Sequence, residues 1–67
     1  MRTIYIGKSL DNDVVINDNF VSRKHLSISE QDNGEYLLKD LGSTNGTFVN
    51  SVRVQQRVLS PNDIVKV

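Results

Sequence analysis

DLGSTNGTFVN, residues 40–50, decides how this chain is read. It sets Gly42 and Gly46, the amide of Asn45 and the hydroxyls of Ser43, Thr44 and Thr47 between apolar Leu41 and Phe48. Glycine reaches positive φ without a Cβ penalty and lets backbone approach a neighbour closely. Ser, Thr and Asn hydrogen-bond nearby backbone groups. On spacing alone the stretch is a tight bend that satisfies its own polar groups. The same inventory also fits a loop of small donors brought close to a ligand. Asn45-Gly46-Thr47 matches the glycosylation acceptor pattern, which reads as chance because no secretion signal accompanies it.

Outward from this bend the pattern is β throughout. Arg2 to Ile6 alternates with period two, placing Ile4 and Ile6 on one face, and His25 to Ser29 alternates in the same way. Val14-Val15-Ile16, Tyr36 to Asp40, Thr47-Phe48-Val49, Val52-Arg53-Val54 and Ile64 to Val67 complete the predicted strands. No apolar spacing of i, i+3, i+4, i+7 is sustained, so no helix is predicted. Asn33-Gly34 and Asn45-Gly46 favour positive φ and read as hairpin turns. Ser60-Pro61-Asn62-Asp63 reads as a turn with φ preset by Pro. Short strands at this spacing predict an all-β, antiparallel sandwich or barrel. One domain is expected over residues 1–67.

With 67 residues, such a domain buries only ~60% of the surface its unfolded chain exposes. It has no Cys and a single His, so neither a disulfide nor a structural zinc site is expected. Eight basic residues balance eight acidic ones, which argues against nucleic acid as a partner. No apolar run approaches a membrane span and Met1-Arg2 opens no signal peptide, so a cytoplasmic setting is expected. The chain ends inside an apolar run at Val67. The expectation is therefore a sandwich incomplete at its C-terminus and belonging to something larger. An uncovered edge at residues 2–6 or 64–67 would then invite self-association, strand exchange or completion by further sequence.

Three other stretches carry candidate chemistry. Ser22-Arg23-Lys24-His25 holds a Ser and a His three apart, but a catalytic pair needs an orienting acid and an oxyanion hole. At the start of a strand, His25 is better read as a buried buttress hydrogen-bonded to loop backbone. Asp11-Asn12-Asp13 and Asn17-Asp18-Asn19 gather oxygens without the Gly and terminal Glu of a calcium loop, and read as solvated turns. Gly7-Lys8-Ser9 looks like the end of a phosphate loop, yet Arg2 stands where the first Gly should be and no helix follows. Its interest lies in company. Lys8, Ser22 and Thr44 all fall at strand ends, and on one edge of a sandwich they would form a cationic, hydroxyl-rich pocket suited to a phosphate dianion.

These blocks resemble the forkhead-associated (FHA) domain family. Gly7-Lys8-Ser9 with Asn12 to Ile16, then Val21-Ser22-Arg23-Lys24-His25, then Asp40 to Asn50 follow the family's order, and Leu59, Asp63 and Val65 fit its ending more weakly. The resemblance covers nearly the whole chain, and the long block is its specific part. It implies a two-sheet sandwich that binds phosphothreonine peptides through loops at one edge, without cofactor, metal or catalytic residues. It further implies that Ser22 donates to the phosphate, Thr44 supports it, Arg23 contacts phosphate or peptide backbone, and Asn45 bonds the peptide main chain. Gly7, His25 and Gly46 would hold loop geometry. Three positions depart from the family pattern. Lys8 replaces an Arg and so loses the planar fork; Ser51 and Asn62 stand where Gly is usual. A phosphate-independent interaction module on the same fold is the competing reading, favoured by Lys8.

Overall fold

The computed structural model describes residues 2–67; Met1, part of the expected domain span, lies outside them. The chain forms β1 (Thr3–Gly7), β2 (Val14–Val15), β3 (Leu26–Glu30), β4 (Tyr36–Asp40), β5 (Thr47–Val49), β6 (Val52–Val54), β7 (Gln56–Leu59) and β8 (Val65–Lys66). One sheet runs β2-β1-β3-β4-β7 and the other β6-β5-β8. Among the described residues there is no helix, and so none long and apolar enough to cross a membrane.

The sandwich follows from period two. Residues paired across strands share a face, so the register Ile4↔Ile28, Ile6↔Leu26 and Ile28↔Leu38 collects these side chains on one side of the larger sheet. Val49 of β5 closes over them. Leu26, Leu38 and Val49 are fully buried, with Ile6, Ile28, Val54, Leu59 and Val67 packed around them. The opposite face is mixed: Leu37 pairs with Val58 there, Thr3 and Ser29 share a hydroxyl bond of 3.0 Å, and the Lys24 ammonium lies 5.7 Å from the Tyr5 ring centroid. The smaller sheet leaves the far end of the inner face open. There Ile28, Tyr36 and Leu59 line a depression of about 600 Å³.

Four features depart from the sequence reading. β7 is an additional strand: Gln56-Arg57 looks polar, but Arg57 pairs with buried Leu38 and is itself half-buried. A long aliphatic stem lets Arg sit on an apolar face in this way. Second, β1 and β2 pair in parallel over Ile6↔Val14 and Gly7↔Val15. The return is anchored where the Asp13 carboxylate accepts from the Tyr5 N–H at 2.8 Å. Third, Asn45-Gly46 is no hairpin, because it joins strands in different sheets and only its Gly has positive φ, at 95°. At Asn33-Gly34 likewise only Gly34 does, at 84°. There Gly34 N–H donates to the Gln31 carbonyl at 3.0 Å, a type I turn closed by a left-handed Gly. Fourth, the Asp11–Asp13 cluster is not merely solvated, since Asn12 is buried.

The two-residue hairpin with both φ positive is Asn50-Ser51, at 51° and 70°. The Asn50 side chain stabilises it locally, accepting from Ile64 N–H and donating to Asp63. Asn62 has φ 71° after Pro61, as a type II turn requires. Ser51 is the costly residue, because an L side chain in the left-handed region costs about 1–2 kcal/mol, of which glycine's greater chain entropy returns part. Ser51→Gly is therefore expected to raise stability by about 0.5–1 kcal/mol, read as a higher urea midpoint; an unchanged or lower midpoint would refute the turn assignment.

Candidate functional site

Strand direction gathers the loops. Because β1 and β4 both run antiparallel to β3, the pairings Ile6↔Leu26 and Leu26↔Asp40 set the end of β1, the start of β3 and the end of β4 side by side. The segments carrying Lys8, residues 17–25 and residues 41–46 thus meet on one edge. Backbone bonds lock the first two together: Lys8 N–H donates to Ser22 O at 3.0 Å and Ser9 N–H to Arg23 O at 3.2 Å. The amide of buried Asn12 donates to Ser9 O and Arg23 O, both at 2.7 Å, adding a side-chain tie between the same loops.

On this edge lies a shallow depression of about 380 Å³ lined by Lys8, Asn19, Phe20, Val21, Ser22, Arg23, Thr44 and Asn45. It brings together all five residues named from sequence as ligand contacts. The Ser22 hydroxyl accepts from Thr44 N–H at 3.1 Å, which leaves its own proton free to donate outward. The Asn45 amide donates to Phe20 O at 2.8 Å, retaining a second hydrogen and its oxygen. Lys8 Nζ donates to Asn19 Oδ1 at 2.7 Å. No carboxylate lines the depression, so its two cations are not neutralised from within.

The supporting residues explain why the loops hold these positions. His25 is fully buried. Its Nδ1 accepts from Ser22 N–H at 3.1 Å, so the neutral ring carries its proton on Nε2, which donates to Gly46 O at 2.8 Å. One imidazole thus ties the second loop to the third. At Gly7 a Cβ would stand 2.2 Å from Arg23 O and 2.9 Å from Ser22 O. Gly46 holds φ 95°, with the flexible Arg53 side chain beside it.

Asp40, which the sequence reading did not single out, is the knot of the bend. Its carboxylate accepts from the Ser43 hydroxyl, from Thr47 Oγ1 at 2.7 Å, and from the N–H groups of Gly42 and Ser43 at 3.1 and 3.0 Å. The Ser43 hydroxyl in turn accepts from Gly46 N–H at 3.1 Å. Desolvation opposes ionisation of Asp40, but the donors from Ser43, Thr47 and Gly42 together outweigh it and hold the pKa below the usual 3.8. A carboxyl whose pKa is lower folded than unfolded stabilises the fold above the unfolded value. It loses that contribution as pH falls through the folded one. Asp40→Asn is expected to cost about 1.5–3 kcal/mol at pH 7, with the two proteins converging in urea denaturation as pH drops below the usual 3.8. A gap that persists unchanged at acid pH would contradict this.

Asp40, Asn12 and Asn19 are thus residues in or beneath the candidate site that the sequence reading did not assign to it. Asp40 opens the bend and Asn12 stands in a family-like block, so both carried a signal, whereas Asn19 carried none; the partners of Asn12 and Asn19 lie 11 residues away in each long-range bond.

This edge can be set against known proteins. The family described as FHA domain matches residues 4–67. The glycogen accumulation regulator GarA of Mycolicibacterium smegmatis is 37% identical over 97% of this chain and 40% of its own length. A solved structure of Mycobacterium tuberculosis EmbR in complex with a low-affinity phosphopeptide superposes with a TM-score of 0.91 at 32% identity, over 97% of this chain and 17% of that one. The N-terminal FHA domain of S. cerevisiae Rad53p, solved in complex with a phosphothreonine peptide, also gives 0.91, at 31% identity over 98% of this chain and 56% of that one. The chain spans less than half the length of the curated relatives it matches. With the sandwich, the order of its blocks and the family match in agreement over nearly the whole chain, this chain belongs to the forkhead-associated domain family.

Proposed function

We propose that this chain is a recognition module that binds phosphothreonine-bearing segments of other proteins, with Lys8, Ser22, Arg23, Thr44 and Asn45 as the contacts. One observation carries the reading: a single depression collects an ammonium, a guanidinium, two hydroxyls and two carboxamides, and no carboxylate. Each is a donor to a dianion, and charge-assisted bonds of this kind are roughly twice as strong as neutral ones. The likeness to domains solved with phosphopeptides supports it. In this reading Lys8 and Arg23 supply charge, Ser22 and Thr44 short hydrogen bonds, and Asn45 fixes the peptide backbone. The work is binding rather than catalysis, in phosphorylation-dependent signalling in a cytoplasmic setting. Gly7, His25 and Gly46 act by holding the loops.

Calorimetry against paired phosphorylated and unphosphorylated threonine peptides tests this. Ser22→Ala and Arg23→Ala are each expected to weaken phosphopeptide binding about tenfold, the worth of one charged hydrogen bond. Lys8→Arg is expected to tighten it, because a guanidinium grips phosphate with two prongs. The competing reading rests on Lys8 and on the open apolar end of the inner face around Ile28, Tyr36 and Leu59. It requires the two peptides of each pair to bind alike.

A further inference from the structure

We infer that Asn19 is a positioning residue that fixes the Lys8 ammonium over the depression and so supplies the order that a lysine lacks relative to an arginine. The inference rests on the phosphothreonine-binding reading above and concerns how this chain meets its departure at Lys8. A lysine carries a point charge on a flexible four-carbon stem, and freezing that stem on phosphate costs rotamer entropy at the moment of binding. Here the stem is already held. Nζ donates to Asn19 Oδ1 at 2.7 Å, and Lys8 is half-buried rather than free in solvent. An ammonium has three donors, so one serves Asn19 and two remain for an anion. Asn is neutral, so this acceptor restrains the cation without cancelling its charge, as a carboxylate would.

Asn19 is itself held, although its side chain is exposed. Asp18 Oδ1 accepts from Phe20 N–H at 2.8 Å and Asp18 O from Val21 N–H at 3.0 Å, with Val21 buried beneath. Phe20 O receives the Asn45 amide at 2.8 Å. The Asn19-Phe20 dipeptide therefore touches the cation from one loop and the Asn45 amide from another, and lines the depression. Lys24, which follows Arg23, is paired with Asp11 at 3.1 Å, so it does not compete for Asn19.

The test is calorimetry of a phosphothreonine peptide and its unphosphorylated twin with the wild-type chain, Asn19→Ala, Asn19→Asp, Lys8→Arg and the double variant Asn19→Ala/Lys8→Arg. Asn19→Ala should weaken the phosphopeptide about three- to tenfold, the range of one modest hydrogen bond, while leaving Tm unchanged because the bond is at the surface. Asn19→Asp should weaken it further, by pairing the ammonium and repelling the phosphate. In the Lys8→Arg background Asn19→Ala should cost less than twofold, since the guanidinium fork is already planar. An Asn19→Ala variant that binds as the wild type does, an Asn19→Asp variant that binds as tightly, or an equal loss in both Lys8 backgrounds would overturn the inference while leaving the phosphothreonine reading intact. If the wild type does not prefer the phosphorylated peptide, that reading fails and the inference falls with it.

Discussion

Gly7→Ala is expected to remove about 2–4 kcal/mol of stability, the cost of an overpacked contact plus at least one lost backbone hydrogen bond. The added Cβ would meet the backbone of residues 22–23, at 2.2 Å from Arg23 O and 2.9 Å from Ser22 O. Backbone cannot swing aside as a side chain can. The end of β1 must move away from residues 22–23, which lengthens the bonds from Lys8 N–H to Ser22 O and from Ser9 N–H to Arg23 O. At roughly 0.1 kcal/mol per residue, a domain of this size holds only about 7 kcal/mol in all, so half the margin is at stake. The same displacement separates Lys8 from Ser22, so phosphopeptide binding should fall together with the urea midpoint. Gly46→Ala is the internal comparison. It meets the flexible Arg53 side chain rather than backbone, so the cost there is that of the positive φ. Equal midpoints for Gly7→Ala and the wild type would refute the close approach.

His25→Ala is the second large effect, at about 3 kcal/mol. It strips partners from Ser22 N–H and from Gly46 O, and a buried polar group left unpaired costs roughly 1–3 kcal/mol. It also leaves a void at a position with 0% exposure, which adds a cavity term. No single polar side chain other than imidazole both accepts at one ring position and donates at the other with this rigidity. His25→Gln should therefore recover only part of the loss. Thermal denaturation reads the effect. A melting temperature unmoved by His25→Ala would mean that the loops are held by other contacts.

What the sequence made legible was what local pattern controls. Period-two alternation located β1 and β3, and strand-forming residues between turn formers located β4; Leu26 and Leu38 on their inner face are fully buried. The density of Gly, Asn and hydroxyl residues marks residues 42–47 as a bend. Two things were hidden, for different reasons. β7 was masked because Arg57 reads as polar while its stem serves an apolar face. The tying bonds of the site were masked because they span sequence distance: His25 to Gly46 is 21 residues, and Thr44 to Ser22 is 22. Hairpin chemistry misled in the same way. Asn-Gly at residues 45–46 carries the local hairpin signal, but the chain there crosses to the other sheet. The two-residue hairpin falls instead on Asn50-Ser51, where Asn50 is supported by Asp63 and Ile64 from β8's approach.

Lys8, Ser22, Arg23, Thr44 and Asn45, on three loops, are proposed to form one phosphate-reading edge. A nitrogen-15 NMR titration with a phosphothreonine peptide and with its unphosphorylated twin tests it directly. The predicted result is a set of backbone amide shifts confined to Lys8, Ser22, Arg23, Thr44, Asn45 and their chain neighbours, present with the phosphorylated peptide and absent with its twin. Shifts of equal size with both peptides, centred instead on Ile28, Tyr36 and Leu59, would contradict it.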